Sequence, residues 1–241
     1  MFLDQIAQTL NSKGKCIFVF YGDSTTSADW IHPNYRDSLE YVIKRELAKK
    51  IEDWKLPSWK LRFINSGFDG ARTTDFLELL NAQVFSYEPD VVLFMATSND
   101  QFSDITPTQH QENIKQVLDK LVEKVPTVIY CTDICSGDDA YNTRYAEYVD
   151  AVRSLFPYKE VVFIDLLTEM KLANPARFFT LIGEGNEDAK IKPGEIDFTH
   201  PNQLDNAYIT RIVLDKAFNL NFDPEVYFKE TTPQNSMAPK Y

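Results

Sequence analysis

Five short runs along the chain are almost wholly apolar: Cys16 to Tyr21, Leu61 to Ile64, Val91 to Met95, Thr127 to Cys131 and Val161 to Ile164. All but the second are nearly continuous in Val, Ile, Leu and Phe, without polar alternation. That is the pattern of parallel strands covered on both faces. Between the runs the apolar spacing becomes helical. Leu39, Val42, Ile43, Leu47 and Ile51 recur at helical intervals within Tyr35 to Ile51, with charges between them. Phe76, Leu77 and Leu80 mark a short helix over Thr74 to Val84. Thr106-Pro107 opens another, with proline in its first turn, followed by Ile114, Val117, Leu118 and Leu121. Tyr141 to Phe156 and Gln203 to Phe218 complete the set. Strand and helix alternate through five strands and end on a helix, which predicts a doubly wound α/β/α three-layer sandwich.

No repeat and no linker rich in Gly, Ser or Pro divides the chain, so a single domain over 1–220 is expected. Two segments stand outside the alternation. Lys171 to Ile196, with Gly183, Gly185, Pro193 and Gly194, reads as a long loop of the kind that often carries function. The segment 221–241, with Pro224, Pro233 and Pro239, reads as a tail that packs loosely or is partly disordered.

In 241 residues the apolar fraction is 44%, ordinary for a chain that buries a core. The net charge of −11 disfavours DNA, RNA and anionic membranes, whose phosphates need Lys and Arg. No apolar run reaches the about eighteen residues of a membrane span. The first residues lack the basic and long apolar stretches of a signal peptide, so a cytoplasmic location is expected. The three cysteines, Cys16, Cys131 and Cys135, show no metal-ligand spacing and read as buried free thiols, a Cys131–Cys135 disulfide being the alternative. Neither a metal nor a cofactor is expected.

In doubly wound sheets, ligands bind at the carboxyl ends of the strands. Gly22-Asp23-Ser24-Thr25-Thr26 follows the first strand, Asn65 to Gly70 the second, and Ala96-Thr97-Ser98-Asn99-Asp100 the third. The loop before the last helix carries Asp197-Phe198-Thr199-His200. A carboxylate three residues before a histidine can orient its imidazole, and a serine across the site completes the parts of a nucleophilic hydrolase. Ser24 is the candidate nucleophile and His200 its base, with Nε2 toward Ser24 and Nδ1–H toward Asp197. The Ser24 N–H, the Gly70 N–H and the Asn99 amide are candidate oxyanion donors; Gly70 lets substrate approach the main chain.

These blocks resemble the SGNH hydrolase superfamily, also called the GDSL esterase/lipase family. They read GDSTT at Gly22 to Thr26, NSGFDGARTT at Asn65 to Thr74, TSND at Thr97 to Asp100 and DFTHPN at Asp197 to Asn202. The family's four letters fall on Ser24, Gly70, Asn99 and His200, and the resemblance spans residues ~16 to ~218. It implies a flavodoxin-like five-stranded parallel sheet and a metal-independent carboxylic-ester hydrolase working through an acyl-enzyme. Gly70 is preferred to Gly67 as the oxyanion glycine, because it leads into the next helix as the family's does. Thr25 stands where the family usually has Leu, and Thr97 where it usually has Gly, which puts a Cβ into the loop presenting Asn99. Lipases, lysophospholipases, thioesterases and carbohydrate O-deacetylases share the family. The polar surroundings Thr25, Thr26, Ser27, Thr97 and Ser98 favour a small acyl group on a carbohydrate or other polar alcohol. A lysophospholipase or thioesterase is the alternative within the family. A non-catalytic glycan-binding module on the same fold is the alternative outside it, and a phosphate-binding flavodoxin-like protein a further one.

Other residues have bland readings. Asp23, a possible substrate contact with Thr25, His32 and Phe198, is expected to fix the serine turn. His32 reads equally as part of a helix start. His110 is expected on the surface, and Asp100 as a cap or loop support. Trp30, Tyr35, Phe102 and Phe198 flank the blocks as pocket wall or core. Glu184, Glu187 and Asp188 lack calcium-loop spacing and read as a solvated loop.

Overall fold

The computed structural model describes residues 2–158, 160–171 and 177–231. Its strands are β1 (Cys16–Gly22), β2 (Leu61–Gly67), β3 (Val91–Met95), β4 (Thr127–Cys131) and β5 (Val161–Ile164). They form one all-parallel sheet in the order β2-β1-β3-β4-β5. The direction of winding reverses between β1 and β3, which leaves a crevice at the carboxyl ends of the central strands.

Alternate side chains explain why the central runs are apolar throughout. Phe18, Phe20, Leu93, Met95 and Ile129 point to one face, under α1 (Phe2–Lys13), α3 (Tyr35–Ile51) and α9 (Gln203–Val213). Val19, Tyr21, Val92, Phe94 and Tyr130 point to the other, under α5 (Thr73–Gln83) and α6 (Pro107–Lys124). Strand β2 lies at the sheet edge with several half-exposed positions, and its sequence is correspondingly mixed. The other helices are α2 (Ser24–Ser27), α4 (Lys55–Lys60), α7 (Asp139–Arg153), α8 (Leu166–Lys171) and α10 (Pro224–Thr231). Among the described residues no helix is long and apolar enough to cross a membrane.

The structure departs from the sequence expectations at three places. Helix α1 precedes the first strand and buries Leu3, Ile6 and Leu10 against the sheet. The start of the expected tail folds as α10, tied down by Glu225, which pairs with Arg177 at 2.8 Å and accepts from Tyr208 Oη at 3.0 Å. The rest of that tail, 232–241, lies outside the described residues. His110 is 1% exposed, because it continues the inward face of α6 formed by Ile114, Val117, Leu118 and Leu121. Its Nδ1 lies 2.8 Å from the buried Asp100 Oδ2. Asp100 also accepts from Thr73 N–H at 3.0 Å and Thr73 Oγ1 at 2.6 Å, supporting the start of α5. The three cysteines are buried and unbridged.

Candidate active site

Strand β1 runs straight into the four-residue helix α2, whose first residue is Ser24. Asp23 caps it, its Oδ1 accepting the Thr25 N–H at 3.1 Å. Gly67, at the end of β2, packs flush on α2: a Cβ there would lie 2.4 Å from the Ser27 nitrogen. Gly70 has a different environment, with φ of +68° and open space where a Cβ would stand. The two glycines therefore separate into a packing position and a position facing open space.

The loop after β3 presents Asn99, whose Nδ2 donates to Ala71 O at 3.0 Å. The Thr97 side chain is fully buried, and its Oγ1 accepts the Asn99 N–H at 2.9 Å. Thr97 thus braces the loop from beneath.

His200 arrives from the loop before α9. Asn202 caps that helix by accepting the Asp205 N–H at 3.1 Å, and it donates to Arg177 O at 2.8 Å and Thr180 Oγ1 at 3.0 Å. His200 Nδ1 lies 2.6 Å from Asp197 Oδ2. Asp197 Oδ1 accepts three further bonds, from Thr199 N–H at 2.8 Å, Thr199 Oγ1 at 2.6 Å and His200 N–H at 3.2 Å. Burial would raise the Asp197 carboxyl, but the hydrogen bond and charge of His200, with the Thr199 bonds, bring it down to about 2. Burial would lower the His200 imidazole, but the hydrogen bond and charge of Asp197, then Asp133 and Asp69, hold it above its ordinary value.

One cavity of about 190 Å³ gathers these groups: Ser24, Gly70, Asn99 and His200 all line it. Asp23 and Thr25 line it too, beside Trp30, Phe102 and Tyr141. The Trp30 ring is 58% exposed and stands edge-on to the His200 imidazole at 5.8 Å. Among the described residues no hydrogen bond joins Ser24 Oγ to His200 across this space. Such contacts are commonly long until substrate arrives. A larger open groove of about 750 Å³ beside α9 and α10 contains none of these groups.

Two expected contacts fall outside the cavity lining. His32 is exposed and pairs with Asp37 at 2.9 Å at the start of α3. Phe198 packs toward Tyr141, with its Cβ against Gly137. Conversely, the cavity has walls the sequence reading did not assign. Asp133, after β4, is buried at its floor. Asn186 and Asp188 come from the long loop, where Asn186 and Ile191 exchange backbone bonds of 2.9 and 2.8 Å. Asp188, expected in solvent, is exposed but borders the cavity. Asp133 directly follows the end of β4, at the same kind of position that the polar clusters take after β1, β2 and β3. Burial pushes both Asp23 and Asp133 well above, or above, the ordinary carboxylate value, and for Asp23 the charge of Asp133 adds to it. Among the described residues no group of three or more His, Cys, Asp or Glu is arranged to hold a metal ion.

The model of the GDSL-like lipase/acylhydrolase family matches residues 20–204, from before the Gly22–Thr26 block to past His200. The chain belongs to that family. It is an ester-hydrolysing enzyme of α/β type. No curated protein matches the sequence. Solved structures share the fold at low identity. An alpha/beta hydrolase from the metagenome of Lake Arreo, Spain, is 19% identical, with a TM-score of 0.64 over 86% of this chain and 97% of its own. An acetylxylan esterase from Geobacillus stearothermophilus is 17% identical, with a TM-score of 0.63 over 86% and 95%. A lipase/acylhydrolase from Enterococcus faecalis is 22% identical, with a TM-score of 0.60 over 83% and 93%.

Proposed function

We propose that this GDSL-family enzyme hydrolyses small, uncharged carboxylic esters, with acetyl on a carbohydrate or other polar alcohol as the favoured substrate. Ser24 Oγ attacks the acyl carbon and its proton passes to His200 Nε2. Asp197 holds the imidazole in the required tautomer and stabilises the imidazolium. The Ser24 N–H, the Gly70 N–H and the Asn99 side chain receive the oxyanion. His200 then protonates the departing alcohol oxygen, leaving an acyl-enzyme. Water attacks that ester with His200 again taking the proton, which returns to Ser24 as the acid leaves.

The observation that carries this reading is the 2.6 Å His200–Asp197 bond bordering the cavity that Ser24 lines. The substrate class rests on size and charge. A cavity of about 190 Å³ is smaller than the roughly 300–1,000 Å³ of sites for drug-sized ligands, which favours a short acyl group. Among the described residues its lining has no Lys or Arg and four aspartates, Asp23, Asp69, Asp133 and Asp188. Phosphate-bearing esters such as lysophospholipids and coenzyme A thioesters suit that lining poorly. The acetylxylan esterase among the structural neighbours is consistent with a carbohydrate alcohol.

The test is a series of p-nitrophenyl esters from acetyl to palmitoyl, assayed with wild type and Ser24→Ala. Turnover should be highest for acetate and absent in the variant. Hydrolysis surviving in Ser24→Ala would remove Ser24 from the mechanism, and preference for long chains would overturn the substrate reading.

A further inference from the structure

Asp133 occupies a position that no motif of the sequence marks. Thr25 immediately follows the candidate nucleophile, and Ser98 immediately precedes Asn99. One carboxylate grips both. Asp133 Oδ1 accepts from Thr25 Oγ1 at 3.4 Å and from the Ile134 N–H at 2.8 Å. Its Oδ2 accepts from the Ser98 N–H at 3.2 Å and from Ser98 Oγ at 2.6 Å. Four donors on two oxygens fill the acceptor capacity of an ionised carboxylate. With Ser98 Oγ donating to Asp133, the Tyr141 hydroxyl donates to Ser98 Oγ in turn. The Asp133 N–H donates to Tyr145 Oη at 2.9 Å, so helix α7 anchors the carboxylate through two tyrosines. Asp133 is 5% exposed, so its geometry is set by these bonds and not by solvent.

We propose that Asp133 is a positioning residue, which fixes the separation between Ser24 and the Asn99 oxyanion donor by tying the loops after β1 and β3 to the end of β4. The inference rests on the hydrolase reading above. Its physical basis is that oxyanion donors act only when held where charge develops in the transition state. A carboxylate in this place needs partners, since a buried charge without them is costly. Thr25 and Ser98 supply them from the two loops that must be kept in register.

The test uses the full chain and five proteins: wild type, Asp133→Asn, Ser98→Ala, Thr25→Val and the double variant Asp133→Asn/Ser98→Ala. Asparagine keeps the size but turns one acceptor into a donor that faces another donor. Asp133→Asn should lower kcat for p-nitrophenyl acetate about 10–100-fold, the usual result of slightly misplaced groups, with KM within about threefold of wild type. Methylboronic acid, which forms a tetrahedral adduct on the serine, should bind more weakly by a factor matching kcat/KM. Ser98→Ala should show the same pattern at smaller size, and Asp133→Asn/Ser98→Ala should be no worse than Asp133→Asn. A variant with lower stability but wild-type kcat and boronate affinity would make Asp133 purely structural and overturn the proposal. If Asp133→Asn does not fold, Ser98→Ala and Thr25→Val carry the test, and wild-type kcat in both overturns it. Failure of the wild type to hydrolyse any ester, or turnover surviving Ser24→Ala, would instead overturn the hydrolase reading and this inference with it.

Discussion

Asp197→Asn is the substitution whose outcome the geometry fixes most closely. Three N–H or O–H donors converge on Asp197 Oδ1, while among the described residues only His200 Nδ1 meets Oδ2. An asparagine must therefore place its oxygen at the first position and its amide nitrogen at the second. The amide then donates to Nδ1, and the neutral imidazole carries its proton on Nε2. That tautomer cannot take a proton from Ser24. The expected loss is about 10³–10⁴-fold in kcat, typical of a mis-set imidazole. The acid limb of any residual activity should move down, since Asp197 is the first contributor opposing burial in holding His200 above its ordinary value. Asp197→Ala forces no tautomer, so above neutral pH it should be the more active of the two, although less stable. The pair also has a stability signature. The lowered Asp197 contributes above its ordinary 3.8 and loses that contribution as pH falls toward about 2. The raised His200 contributes fully below its ordinary 6.5 and loses that contribution as pH rises through its folded value. The net lowering of the Asp197 carboxyl, after burial is offset and with the Thr199 bonds included, amounts to about 2 kcal/mol, at 1.36 kcal/mol per pH unit. The thermal-stability gap between wild type and Asp197→Asn should thus peak near about pH 5, on the acid side of the activity optimum. Stopped-flow or steady-state rates with p-nitrophenyl acetate from about pH 5 to 9, and melting curves from about pH 2.5 to 9, check both. An Asn variant within about tenfold of wild type, or as active as the Ala variant, would refute the tautomer argument.

Three further outcomes follow from other parts of the molecule. Gly67→Ala would put a methyl against the backbone of Ser27, so it should cost about 1–3 kcal/mol and lower kcat by displacing α2; an unchanged melting temperature would count against this packing. Asp205 is buried with neither carboxylate oxygen hydrogen-bonded among the described residues, and burial, then Asp133, pushes it well above the ordinary value. Its raised value makes stability fall as pH rises above about 4, so Asp205→Asn should melt higher than wild type at pH 8 and gain little at pH 4. Acetate esters of neutral alcohols should exceed matched anionic ones in kcat/KM by at least about tenfold at low ionic strength, a gap that narrows with salt; equal rates would discard the charge argument.

The parts of the fold legible in the sequence were those whose signal is local. A strand buried on both faces must be apolar at every position, and β1, β3 and β4 announce themselves by that alone. The Asp197–His200 pair was legible because its partners are three residues apart. Two misreadings had local remedies. His110 sits four residues before Ile114 on the same face of α6, and Leu3, Ile6 and Leu10 already carry helical spacing before β1. Asp133 is different in kind. Its partners Thr25 and Ser98 lie 108 and 35 residues away, brought near because β1, β3 and β4 are consecutive in the sheet. No spacing within Thr132-Asp133-Ile134 reports that neighbourhood. Likewise, Asp188 borders the cavity only because Asn186 and Ile191 close the loop on itself.

The balance of charge in the cavity ties these points together. Asp23, Asp69, Asp133 and Asp188 line it, Asp197 stands behind His200, and among the described residues His200 is the only cationic group the lining can form. In the mechanism proposed above, a field so negative favours the imidazolium formed when Ser24 gives up its proton, and it opposes the oxyanion formed in the same step. The two effects differ in reach. Hydrogen-bond donors act on the oxyanion at contact and are worth roughly 3–4 kcal/mol each in the transition state. Carboxylates at the exposed rim, Asp69 and Asp188, act through solvent and are screened. The buried pair Asp23 and Asp133 is the serious opponent, and burial raises both, so a proton retained by one of them removes much of the opposition. Asp133 has four donors, from Thr25, Ile134 and Ser98, whereas the Asp23 carboxylate has three, the backbone N–H groups of Thr25 and of Asp23 itself and the Thr97 side chain. Burial and the charge of Asp133 both push Asp23, beside Ser24, well above the ordinary carboxylate value, while Asp133 keeps its donors from the two loops.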